Sequence, residues 1–334
     1  MLRNKQGDNS NTMDLYFWNA YKRLEKEVLE LSEYIHISDD QLGVYSAKIG
    51  DLLVRTAIEA ETLVKLLYHE NGGEKSNGKD LYFDTDCFKL LEDKWTLSKK
   101  VIYVTSPSFF LKEFKSLRPL HKAYKRGSSS SNWQRAYQAV KHDRVNNQKS
   151  GNIGNLLLAL GALYILNIYY RGLYFSNVVD RTASNIDWSL GSELFSVKIS
   201  PETSSTSVRK IYEKKEDYDE AIYLVKHTDD TAKTVINLFD DIQNEVNKNT
   251  SFGVTGRFKD LEKAGKIKAD KDNLINQLKD VYNDLHDENF RKELEKRKME
   301  IHQVFLQLKL EAVLNTNQYK DDDEKVHDER SIIR

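Results

Sequence analysis

The sequence predicts a mainly α-helical protein, a helical bundle of about half the chain followed by a smaller α+β domain with a short hairpin and long helices. Three observations predict it. Only three of 334 residues are proline while 31% are charged, a composition that suits long helices with wet faces. Apolar residues recur every three or four positions through much of the chain. One stretch, Leu156 to Leu166, is apolar without a break and reads as the helix at the centre of the bundle.

Taken in order, Asp14 to Ile35 carries Leu15, Trp18, Tyr21, Leu24, Val28, Leu31 and Ile35 on one stripe, with Lys22, Arg23, Glu25, Lys26 and Glu27 on the wet side. A second helix is expected from Ser46 to His69, ended by Gly72 and Gly73. Within it Arg55 and Glu59 are spaced to pair along the surface as a structural link. Phe88 to Lys99 suggests a further helix, and Pro107 and Pro119 limit Ser108 to Ser116 to a short one. Ser131 or Asn132 is suited to cap a helix from Trp133 to Arg144. The apolar helix Asn155 to Phe175 follows.

Beyond Ser176 the pattern changes. Glu193 to Ser200 alternates as a half-buried strand, with Val208 to Tyr212 as its expected partner. Helix is expected again from Glu216 through Tyr218, Ile222 and Val225, then a loop at Phe252 to Gly256, and a long helix or helix pair from Leu274 to Leu314. These readings divide the chain into domains at 14–178 and 186–319, with a charged tail at 320–334.

The 39% hydrophobic content is adequate for a core and excludes a disordered chain. The single cysteine, Cys87, offers neither an intrachain disulfide nor a thiolate metal site, and a reducing cytoplasm fits it best. Met1 to Thr12 has no apolar signal core, and the apolar run is too short for the roughly 20 residues of a membrane span, so neither export nor a membrane is expected. Phosphate-loop, dinucleotide-binding and His-Glu-x-x-His metal motifs are absent, and no cofactor or metal is called for.

Charge is unevenly spread. Leu111 to Ser150 holds ten Lys or Arg against two acids in a chain of net charge −1. Tyr124, Trp133 and Tyr137 are interleaved with those cations, the composition of a surface for single-stranded nucleic acid. A basic solvated helix face is the alternative, and charge alone leaves the two even. Glu213 to Glu245, with ten acids against four lysines, is the segment expected to lie against it.

The sharpest constellation is Trp133-Gln-Arg135-Ala-Tyr137-Gln-Ala-Val-Lys141-His142-Asp143-Arg144. Arg135 and His142 are seven residues apart, hence on one helix face at about 10 Å along the axis. Two copies packed antiparallel across a twofold axis would bring the arginine of one near the histidine of the other.

Asp14 to Phe175 resembles a HEPN domain, of the higher eukaryotes and prokaryotes nucleotide-binding superfamily. The likeness lies in the early helix Arg55-Thr-Ala-Ile-Glu59-Ala-Glu61-Thr-Leu-Val-Lys65, the Arg-x6-His stretch Arg135 to His142, and the apolar last helix. It departs at Ala136, where the family often has a polar residue. The resemblance implies a metal-independent endoribonuclease of abortive-infection or toxin type in prokaryotic antiviral defence, a homodimer acting on RNA, and it leaves room for a partner or antitoxin protein. It also implies roles: His142 as acid or base, Arg135 as stabiliser of charge on phosphorus oxygens, and Trp133, Tyr137, Lys141 and Arg144 as substrate-binding residues. Non-catalytic superfamily members that dimerise, dock a partner or bind a nucleotide leave that second reading open.

Overall fold

The computed structural model describes residues 10–74, 81–173, 175–179, 186–201, 217–249, 251–270, 273–285 and 288–317. It is mainly helical with small sheets, and it divides into two compact units. Among the described residues the first comprises those up to 201, 217–226 and 311–317, and the second those within 227–310. Residues 175–179 and 186–201, on either side of the expected boundary, both belong to the first.

In the first unit the helices are α1 (Ser10–Glu30), α2 (Ala47–Glu70), α3 (Lys89–Trp95), α4 (Asn132–His142) and α5 (Ile153–Arg171). Helix α5 is apolar on every side and therefore has to be enclosed. Helices α1, α2 and α4 pack directly on it. Its length and composition would allow it to cross a membrane, but 83% of its apolar window is buried inside the fold, as the core helix of the bundle.

Local signals set the helix ends. The Ser46 hydroxyl accepts a hydrogen bond from Ile49 N at the start of α2, and the Asn152 side chain accepts one from Asn155 N at the start of α5. Gly172, at φ +56°, closes α5 in the left-handed conformation that glycine adopts most cheaply. A Cβ on Gly151 would lie 2.9 Å from the Cα of Gly50, so only glycine lets the start of α5 approach α2 this closely.

Among the described residues, three small sheets complete the unit. Strands β1 (Ile37–Ser38) and β3 (Phe109–Phe110) pair in parallel. Strand β2 (Ile102–Val104) lies between β4 (Ser116–Leu117) and β6 (Phe195–Val197), antiparallel to both. The third sheet has the order β5 (Phe175–Val179), β9 (Leu310–Leu314), β8 (Tyr223–His227), β7 (Ile199–Pro201). These pairings explain the domain boundary, because the backbone partners of the later strands lie in the bundle. Val101 N donates to Glu220 O at 2.9 Å and Thr105 N to Leu194 O at 2.9 Å. The Tyr169 hydroxyl of α5 donates to Asn315 O at 2.7 Å.

Several expectations are corrected here. Ser108 to Ser116 contains β3 and the first residue of β4 rather than a helix. Ile222 and Val225 belong to a 3₁₀ turn exit and strand β8, not to a helix. The strand expected at Glu193 to Ser200 exists as β6 and β7, but β6 pairs with β2 and β7 in parallel with β8. Its expected hairpin partner, Val208 to Tyr212, lies outside the described residues. Arg55 pairs with Glu27 of α1 at 2.8 Å rather than with Glu59. Both side chains of that pair reach solvent, so the link is worth about 1 kcal/mol or less.

The second unit holds α6 (Asp229–Asn249), α7 (Ser251–Lys263), α8 (Leu274–Leu285) and α9 (Glu288–Leu306). Val254 and Phe258 of α7 pack against Val281 of α8, which is why Phe252 to Gly256 is helical despite its two glycines. The expected helix from Leu274 to Leu314 is α8 and α9, ending before strand β9.

Glu25, expected on the wet side of α1, is fully buried. Its Oε1 accepts hydrogen bonds from the Tyr21 hydroxyl at 2.7 Å, the Ser192 hydroxyl, Glu193 N at 3.0 Å and Leu194 N at 3.1 Å, and Lys22 pairs with its Oε2. One carboxylate thus fastens the chain entering β6 to α1. Replacing it orphans buried donors and the lysine together. Glu25→Ala is expected to lower unfolding free energy by about 3–5 kcal/mol, against about 1 kcal/mol or less for Lys48→Ala at the exposed Lys48–Glu27 pair, read from urea midpoints.

Candidate functional site

Helix α4 begins with a reciprocal cap. The Ser131 hydroxyl accepts from Gln134 N, and the Gln134 side chain accepts from Ser131 N at 3.0 Å. The helix then divides by burial. Trp133, Ala136, Tyr137 and Val140 face the core, while Arg135, Gln138, Lys141 and His142 are exposed. Arg135, Gln138 and His142, spaced three and four apart, form one outward ridge.

This placement corrects part of the expected site. Trp133 and Tyr137 are each 1% exposed, and Trp133 Nε1 donates to Pro119 O at 2.9 Å. Their rings are the mounting of the helix and are not free to stack on bases. Arg144 is exposed but pairs with Asp51 of α2 at 2.7 Å, so any phosphate would compete with that carboxylate. Lys141 is exposed and its ammonium lies 5.2 Å from the centre of the Tyr137 ring.

On the ridge, His142 Nε2 lies 3.1 Å from Gln138 Oε1, so a protonated Nε2 donates to that oxygen. Asp143, just past the helix, binds Asn146 N at 3.2 Å and Asn146 Nδ2 at 2.8 Å, which fixes the turn that follows the histidine. The Arg135 guanidinium reaches back toward the helix start, donating to Ser128 O at 3.3 Å, to Ser130 O and to Asn132 Oδ1 at 2.6 Å. Those contacts hold its charge at the mouth of a cleft.

That cleft, of about 540 Å³, is polar and open. Helix α2 supplies Glu61 and Lys65; Tyr82 and the π-helical turn Phe83–Phe88 supply a second wall with Asp84; Arg126 and the serine turn supply a third; Gln134, Arg135 and Gln138 of α4 close it. The Arg126 guanidinium stacks on the Tyr82 ring at 3.6 Å. Nearby, the ammonium groups of Lys89 and Lys125 lie 5.8 and 5.6 Å from the centre of the Tyr124 ring.

Burial pushes the Glu61 carboxyl above its ordinary range and Asp84 adds to the effect, while Lys141, Lys65 and the Tyr137 hydroxyl pull the other way. Cys87, behind the wall, is buried and its thiol is pushed up to about 11, mainly by desolvation, so it is no nucleophile at neutral pH. Among the described residues, no group of three or more metal-ligating side chains comes together.

The sequence brought Arg135 and His142 to one face, and the structure agrees. The cleft was missed. Arg126 had been counted only as one of ten cations and Lys65 only as part of a helix; Tyr82 and Asp84 carried no signal, because their placement depends on the π-helical turn meeting α2 and α4. Of the acidic segment expected against the basic one, Glu220 does so by pairing with Arg118.

A raised carboxyl pKa means the folded state binds the Glu61 proton more tightly than the unfolded chain. Its effect on stability is therefore felt as pH rises from the ordinary glutamate range through the raised value, a window in which stability falls. Glu61→Gln is expected to remove that fall, leaving the variant at least as stable as the wild type at pH 7 and not at pH 4. Denaturation midpoints between those pH values measure it.

Set against protein-family models, curated proteins and solved structures, the chain matches none of them, so its functional reading rests on this ridge and cleft.

Proposed function

We propose that the chain is a metal-independent endoribonuclease effector of prokaryotic antiviral defence, of HEPN-like fold, working in the cytoplasm as a homodimer. The observation that carries this reading is the exposed ridge of α4, where Arg135 and His142 share one face with Gln138 between them. The buried side of the same helix is pinned by Trp133 and Tyr137, so the ridge is presented rigidly.

The chemistry follows from these groups. Cleavage without a metal needs a base for the 2′-hydroxyl and an acid for the departing 5′-oxygen, and an imidazole exchanges protons in the neutral range. Arg135 supplies fixed donors to the charge that gathers on the phosphorus oxygens. One ridge holds the two groups about 10 Å apart along the axis, too far for one phosphate, so a composite site takes the arginine of one copy and the histidine of the other. Lys141 is the exposed cation beside them.

One observation favours a different reading. The Arg135 guanidinium already satisfies two carbonyls and an amide of its own turn, which suits a brace in a non-catalytic docking module. Mutation separates the two. Proton transfer contributes typically about 10²–10⁴-fold and an oxyanion donor about 3 kcal/mol. His142→Ala and Arg135→Ala are therefore each expected to reduce RNA cleavage in the presence of a chelator at least about 100-fold, with melting temperatures near wild type. Full activity in both variants removes the nuclease reading. A drop in stability for Arg135→Ala, with no cleavage by the wild type, favours the brace.

A further inference from the structure

The cleft holds more than the ridge requires. Lys65, Arg126 and Arg135 give three positive charges against Glu61 and Asp84, a net of +1. Its volume of about 540 Å³ falls inside the range of about 300–1,000 Å³ typical of small-ligand sites. Lys65 and Arg126 are exposed, and among the described residues neither stands in an ion pair of the kind that occupies Arg118 and Arg144. The guanidinium carbon of Arg126 lies over the Tyr82 ring, 3.6 Å from its centre, and the side chain is exposed. A planar cation above an aromatic ring stacks well on a nucleobase. The carboxylates on the other walls accept hydrogen bonds from hydroxyl or amino groups and repel a bare anion.

We propose that this cleft seats one unpaired phosphorylated nucleotide, its base on the Arg126–Tyr82 stack, its phosphate between Lys65 and Arg126, and its sugar hydroxyls toward Asp84. The shared chemistry is that of a nucleotide unit, which an RNA strand or a free nucleoside monophosphate can supply. In the strand case the site deepens the ribonuclease reading, on which it rests only for the identity of the polymer. The seated nucleotide would lie beside Arg135 at the start of the ridge, and the strand would leave along Gln138 toward His142.

The test is fluorescence anisotropy of a labelled eight-nucleotide single-stranded oligoribonucleotide on the full chain, in chelator, with His142→Ala as background to prevent turnover. Arg126→Ala and Lys65→Ala are each expected to weaken binding about five- to tenfold. Each is also expected to flatten the dependence of log affinity on log salt by about 0.7, the loss of one single-strand phosphate contact. Tyr82→Ala should weaken binding while Tyr82→Phe, which keeps the ring, should not. Lys99→Ala, whose cation pairs with Asp219 outside the cleft, should bind as the parent does. Competition by uridine or adenosine monophosphate, lost in Arg126→Ala, assigns the site to a free nucleotide; competition by unlabelled strand alone assigns it to RNA; both support it. Unchanged affinity and salt slope in Arg126→Ala and Lys65→Ala overturn it, as does failure of the parent to bind either ligand. Binding is read without cleavage, so the cleft stands if the nuclease reading fails, and falls alone if cleavage persists in chains whose cleft variants bind normally.

Discussion

A helix with no polar face has to be covered on all sides, and α5 imposes that demand on the rest of the first unit. Helices α1, α2 and α4 cover part of it. Strand and loop residues cover more of it: a Cβ on Gly161 of α5 would lie 2.8 Å from Ile102 of β2 and 2.9 Å from Pro119, so both are in direct contact with the helix. Two of its polar groups are answered from the enclosing layer. The Tyr164 hydroxyl donates to Ser189 O at 2.8 Å and the Tyr169 hydroxyl to Asn315 O. Segments distant in sequence are recruited because the apolar surface they cover is worth about 25 cal/mol per Å² when removed from water.

The same enclosure orients the candidate site. Pro119 sits against Gly161, and its carbonyl accepts the indole N–H of Trp133. With Trp133 and Tyr137 sunk toward the core, the opposite face of α4 can only look outward. Arg135, Gln138 and His142 are thus placed by the core rather than by one another. The guanidinium of Arg135 is then steadied by the serine turn, so its charge is pre-positioned before any anion arrives. Trp133 and Tyr137, which composition alone assigned to ligand stacking, are the scaffold, while Arg126 lies over the ring of Tyr82 at the cleft.

Helices α1, α2, α4 and α5 were legible because long amphipathic or apolar stretches with caps leave little choice. The strands were not. Ala221 to Val225 is a continuous apolar run buried on both faces, and such a run has no period to distinguish strand from helix. Strands β1, β3 and β4 are two residues each, too short for any pattern. Glu25 looked like a surface charge because its partners, Ser192 and the amides of Glu193 and Leu194, lie more than 160 positions away. Tertiary contacts decided each of these cases. For the site, spacing sufficed to align Arg135 with His142, while the cleft beside them depends on four segments meeting.

The claim that joins fold to function is that the ridge of α4 cleaves RNA by 2′-hydroxyl attack with no metal. Mass spectrometry of the ends of RNA incubated with the full chain in excess chelator tests it most directly. The account predicts 2′,3′-cyclic phosphate and 5′-hydroxyl ends that disappear when His142 is replaced. Intact RNA, or ends bearing 3′-hydroxyl and 5′-phosphate groups, would contradict it.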